Sequence, residues 1–269
     1  MPAARICPIR CDNYPMTENA NYQDRMRAIL VIVATIATIA FNGLAAAGLV
    51  NGISPDVIFD KYPTVLTPAS YAFSIWNLIY LGMAAFSVYQ FLPENFLRFR
   101  PVRSLYIFTC LLNCAWIYFW HRDQIGICLV LMFTLLVALV FLLIQFRRTE
   151  SAGGSLFTKT PFGIYTGWVT AAALVNFVIF LKYEGLEFSS SAWSMLGVAL
   201  IAVAVALAVL GRWKLKNYLY PLAIAWALTA IAVKQGGNTA IVVAAAVGVV
   251  ICMVTAGSFV VDLKDSTSE

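Results

Sequence analysis

The chain has 269 residues, 61% of them hydrophobic. Only 12% are charged, where an ordinary soluble domain has roughly 25%. That balance excludes a soluble globular protein, and the net charge of +5 is spread over connecting segments rather than gathered on a basic face for nucleic acid.

Residues 1–26 read as a disordered, basic, cytoplasmic tail. Its Cys7 and Cys11 form a C-x3-C pair, but a metal site needs about four ligands, and cytoplasmic disulfides are rare. Two unpaired thiols are expected. Met16 and Met26 are alternative starts. A cleaved signal is disfavoured because the apolar run after the tail continues past Ala45-Ala46-Ala47 to Val50, longer than a signal core.

Eight windows then follow without an Asp, Glu, Lys or Arg: 28–55, 62–93, 104–121, 124–146, 160–181, 188–211, 217–233 and 235–261. A bilayer-spanning helix needs roughly 17–25 apolar residues, and a mid-membrane charge costs about 2.5–3.5 kcal/mol. A closed barrel would alternate apolar and polar residues, whereas 129–143 and 196–210 are apolar on all sides apart from Thr134. The expected fold is an all-α, polytopic membrane bundle of eight helices. Residues 27–182 form a five-helix domain and 183–269 a three-helix extension.

The connectors alternate in charge. The termini and even-numbered loops hold fourteen Lys and Arg, the odd loops four (Lys61, Arg122, Lys182, Lys234). This is the positive-inside pattern, with both termini cytoplasmic.

Spans two, three and five hold Trp76, Asn77, Asn113, Trp116, Trp120, Trp168 and Asn176, while six and eight are mostly small and aliphatic. The first five spans therefore read as functional and the last three as packing. Small residues four apart (Gly163 and Gly167; Ala244, Gly248, Cys252 and Ala256) permit close helix approach. Packing within the chain is the favoured reading, and a homodimer stays open. The remaining cysteines, Cys110, Cys114, Cys128 and Cys252, lie within spans as small apolar residues. His121 ends span three as an interfacial residue.

No span carries a carboxylate or base, which speaks against proton pumping, ion exchange and hydrolysis. No catalytic residue and no metal ligand is assigned. Aromatic rings, amides and hydroxyls suit a flat apolar ligand.

Three segments concentrate this chemistry. In residues 67–80, Pro68 suits a first helical turn, and Trp76 lies deeper than the interfacial belt where Trp gathers. In residues 112–120, Asn113, Trp116 and Trp120 are spaced i, i+3, i+7 on one helix face; the amide needs a partner in the bundle or on a ligand. In residues 165–176, Trp168, Ala172 and Val175 share a face, with the alanine leaving space beside the indole. Each segment alone is equally readable as core packing.

Together they resemble the TspO/MBR family, the tryptophan-rich sensory proteins that include the mitochondrial translocator protein. The family pattern falls on Pro68, Trp76, Tyr80, Leu112, Asn113, Trp116, Trp168, Ala172 and Asn176. The chain departs from it at Ile164-Tyr165, where the family commonly has Pro-Tyr, and at Ala69, the second of paired prolines. It also adds three helices to a family core of five.

The resemblance implies a five-helix cavity that binds porphyrins and, in some members, sterols or benzodiazepine-like ligands. Its ligand-binding residues would be Pro68, Trp76, Tyr80, Asn113, Trp116, Trp168, Ala172 and Asn176, beneath a covering loop, residues 51–67. The expected function is tetrapyrrole or lipid binding in transport, sensing or stress regulation. Porphyrin or haem would be a ligand and not a required cofactor; membrane lipids would be partners and nucleic acid would not. The alternatives are a porphyrin-degrading enzyme using Trp76 and Trp168 as redox-active rings, a transporter of another hydrophobic substrate, and a scaffold.

Overall fold

The computed structural model describes residues 18–149 and 154–258; Cys7, Cys11 and Met16 lie outside them. Ten α-helices and no strand occur among the described residues: α1 Glu18–Ala46, α2 Pro55–Lys61, α3 Ile75–Tyr89, α4 Pro93–Phe96, α5 Arg103–Trp120, α6 Ile125–Arg148, α7 Lys159–Tyr183, α8 Ser190–Leu215, α9 Leu219–Lys234 and α10 Thr239–Gly257. Six helical segments are long and apolar enough to cross a membrane. The other two windows hold α5, with 18 residues, and α9, with 16. Leu81, Leu111, Val130, Met195 and Val254 stand more than half exposed on outward faces. Water would not tolerate so continuous an apolar surface, whereas acyl chains cover it. The chain is an all-helical, multi-pass membrane protein.

Helix boundaries follow local chemistry. Pro55 opens α2, where a missing N–H costs nothing. The Ser189 side chain accepts from Ala192 N–H at 3.2 Å and Asn238 from Ile241 N–H at 3.3 Å, capping α8 and α10. Gly185, at φ +76°, ends α7; beyond it Leu186 N–H reaches back to the Leu181 carbonyl at 3.1 Å.

Two expectations are corrected. Residues 18–26, read as disordered tail, are the first turns of α1. Asp24 is buried there, with its carboxylate 3.0 Å from Arg100 Nε. Arg103 donates to the Asp24 carbonyl and to Gln90 Oε1. These partners come from a distant loop, so local composition could not report them. The helix of the second window also starts later than Pro68, which was expected in its first turn. Residues 62–69 form part of the loop, a 3-10 segment covers Ser70–Ser74, and the α-helix starts at Ile75. Ala69 N–H is bonded to the Ala230 carbonyl instead of entering a helix.

Helices α1, α3, α7, α6 and α5 pack in sequence around a closed ring. On its outer side α7 meets α9, which lies between α7 and α10, with α8 against both α9 and α10. Consequently α7 is the most enclosed of the spanning helices. Its glycines make the outer contact possible: a Cβ on Gly167 would stand 2.4 Å from the Tyr220 carbonyl oxygen. One on Gly163 would stand 2.1 Å from Asn217 Oδ1. Gly248 of α10 similarly admits Leu228 and Val205. These small-residue rows therefore serve packing within the chain.

Candidate functional site

Inside the ring, helical spacing turns Trp76 of α3, Asn113 and Trp116 of α5, and Trp168 and Ala172 of α7 toward one void. Phe59 of α2 and Phe73 of the 3-10 segment also line it. Trp76 and Trp168 stand 6.4 Å apart, with ring planes at 82°. Tyr165 meets Trp76 edge-on at 5.8 Å, Phe73 meets Trp168 at 5.9 Å, and Trp116 stacks on Trp120 at 5.3 Å. Edge-to-face contacts of this kind satisfy the ring quadrupoles. The void measures about 20 Å³, room for roughly one water. A second void of about 20 Å³ lies across Trp168 and Ala172, bounded by Pro68, Val175 and, from α9, Ala227 and Ile231.

Each buried amide has partners. Asn113 accepts from Asn42 Nδ2 at 2.7 Å and donates to the Tyr165 hydroxyl at 2.9 Å. Trp116 Nε1–H donates to Asn176 Oδ1 at 3.2 Å, and Asn176 donates to the Ala172 carbonyl at 2.9 Å. Trp120 Nε1–H donates to the Pro55 carbonyl at 3.1 Å. The indole N–H groups of Trp76 and Trp168 form no such bond among the described residues. They are the spare donors of the cage.

Of the residues singled out from sequence, Trp76, Asn113, Trp116, Trp168 and Ala172 meet at one void. Pro68 lines the neighbouring one. Tyr80 stacks on Trp76 at 5.4 Å and lines neither void, and Asn176 lies behind Trp116 as its acceptor. Sequence reasoning missed Phe59, Phe73, Tyr165, Ala227 and Ile231. Tyr165 was legible, three residues before Trp168 on the same face. Phe59 carried no local signal, because only the fold of the loop brings it over the ring.

The covering loop is held at both ends. At one side Asn51 Nδ2 donates to the His121 carbonyl at 2.8 Å, and Lys61 pairs with Asp123 at 2.9 Å. Tyr62 lies nearby; burial, and then the Asp123 carboxylate, raise its phenol pKa. At the other side Gln235 donates to the Thr64 and Thr67 carbonyls at 2.9 and 3.1 Å, and Trp226 to the Ala72 carbonyl at 3.0 Å. The extension thus does more than the packing expected of it: α9 supplies a wall and a clamp. Among the described residues no three His, Cys, Asp or Glu are grouped to hold a metal. A roomier hollow, about 920 Å³, is a furrow between α8 and α10 lined by Val, Ile, Ala and Gly with Thr239. It offers no indole or amide.

No curated protein and no solved structure gives a significant match. A family model described as TSPO-like protein matches residues 28–258, running from α1 through α10 and taking in the cage, the cover and the three-helix extension alike. With so much of its length matched, the chain belongs to the TSPO-like protein family.

Proposed function

We propose that this protein binds a flat, hydrophobic ligand of tetrapyrrole or lipid type between the indoles of its five-helix ring, and acts through it in transport, sensing or stress regulation. The observation that carries this reading is the convergence of Trp76, Trp116 and Trp168 from three helices on one void. The void is far smaller than a porphyrin, so binding requires Trp76 and Trp168 to part and the cover to lift. Ligand contacts then replace ring–ring contacts, and the spare N–H groups reach the ligand's polar edge. Asn113 and Asn176 position the rings in the ligand-free state and become available only if Tyr165 or Trp116 moves.

The topology belongs to the same proposal. The eight long helices occupy the eight uncharged windows in order. Eight crossings place both termini on one side, and the Lys and Arg distribution makes that side cytoplasmic.

Titration of the detergent-purified chain with protoporphyrin, haem and sterol, read by tryptophan fluorescence, tests the reading. Saturable quenching is expected with at least one of them. Trp76→Leu with Trp168→Leu should weaken affinity at least several-fold, measured by ligand absorbance, since the reporter rings are lost. Unchanged affinity in the double variant contradicts the assignment.

A further inference from the structure

Away from the aromatic voids, the junction of α5 and α6 and the edge of the cover enclose a polar cavity of about 690 Å³. Its walls include Asn51, Lys61, Tyr118, His121, Arg122 and Asp123. None of these lines the cage. His121 is only 4% exposed. Its Nδ1 lies 2.8 Å from the Ile117 carbonyl oxygen. A carbonyl only accepts, so Nδ1 carries the hydrogen, and in the neutral ring Nε2 presents a lone pair. That Nε2 is buried and has no partner. Asp123 Oδ1 is buried too and has no hydrogen bond of good geometry, although the Tyr62 hydroxyl lies beside the carboxylate; Oδ2 is held by Lys61.

The cavity therefore sets a ring nitrogen without a donor, and a carboxylate with one incompletely paired oxygen, beside two cations. Lys61 has N–H groups beyond the one given to Asp123, and the Arg122 guanidinium rests over the Tyr118 ring at 4.5 Å. Buried acceptors of this sort call for a donor-rich guest. A guest that also brings an anion would satisfy Lys61 and Arg122.

We infer that this cavity binds the headgroup of a phospholipid bearing a primary ammonium beside its phosphate, the ethanolamine type. Both acceptors are shielded in the ligand-free chain, so the part-exposed Asp123 side chain turns aside as the ammonium donates to His121 Nε2 and Asp123 Oδ1, and the phosphate faces Lys61 and Arg122. A lipid is favoured over a soluble phosphate ester because the cavity opens where α5 ends and α6 begins, at headgroup depth. The exposed Tyr118 face of α5 there leads into the acyl region. A choline headgroup has the same phosphate but no N–H, so it leaves both acceptors unpaired.

The test uses the full chain in detergent with dihexanoyl phosphatidylethanolamine or dihexanoyl phosphatidylcholine, read by thermal unfolding and by native mass spectrometry of retained lipid. The ethanolamine lipid should raise Tm more and be retained at least several-fold better. Asp123→Asn should level the two lipids. Asp123 has φ +56°, a conformation that Asn adopts readily, so the variant keeps its backbone. His121→Phe should level them as well. Equal retention of both lipids by the unaltered chain, or a preference that survives both variants, overturns the proposal. Soluble phosphoethanolamine at the same concentration should stabilise less than the lipid; equal stabilisation would overturn the lipid assignment. Trp76→Leu with Trp168→Leu should leave the preference intact, which separates this outcome from failure of the porphyrin reading.

Discussion

Ala172 shows how much a single side chain decides in the cage. It is the alanine shared by both small voids, each of which Trp168 also lines. Ala172→Phe should fill that space and abolish ligand binding, while far-ultraviolet circular dichroism still reports a full helix content; retained affinity would show that the ligand sits elsewhere. Asn113 acts differently, as a tie. Replacing it with Leu leaves the Tyr165 hydroxyl without its donor and Asn42 Nδ2 with only the Thr38 carbonyl. A loss of about 1–2 kcal/mol is expected from unpaired buried groups, measurable as a lower Tm in detergent. Spacing within α5 and α7 was enough to group Asn113, Trp116, Trp168 and Ala172, because helical periodicity alone fixes which residues share a face. Whether Asn113 serves the bundle or a ligand was not legible: its partners, Asn42 and Tyr165, are 71 and 52 residues away in sequence.

At the scale of elements, α7 is the shared wall. Its inner face carries Trp168, and its outer face receives α9 at Gly167 and the Asn217 side chain just ahead of α9 at Gly163. Gly167→Ala forces a methyl against the Tyr220 carbonyl, so about 1–3 kcal/mol of stability should be lost. Gly43→Ala in α1 meets nothing within 4 Å and should be neutral or gain up to about 1 kcal/mol. Equal Tm changes in the two variants would refute the close α7–α9 approach. The small-residue spacing made this contact readable in outline, but not its partner, since any helix could have filled the groove. The clamp on the cover was invisible for a similar reason. Gln235 follows the last residue of α9 and reaches Thr64 and Thr67 across 171 and 168 positions. Gln235→Ala should loosen the cover and speed ligand association, read by stopped-flow quenching; an unaltered rate would mean that access runs by another route.

For the whole molecule, composition and charge carried most of the information. Uncharged windows announced the spanning helices because lipid penalises every ionised group. The alternation of Lys and Arg across loops predicts that in intact cells an impermeant maleimide labels Glu184→Cys from outside and not Ser155→Cys. The reverse pattern would invert the topology. What the windows concealed was the late start of α3, beyond Pro68 and a 3-10 segment, and the inward reach of α9. Both depend on contacts between distant segments. The central claim is that two indoles part to admit a ligand. The most direct measurement is the position of protoporphyrin, or whichever ligand titrates, in a structure of the complex. The account predicts it between Trp76 and Trp168 with the rings moved beyond their 6.4 Å separation. A ligand lying in the furrow between α8 and α10, with that ring pair undisturbed, would contradict it.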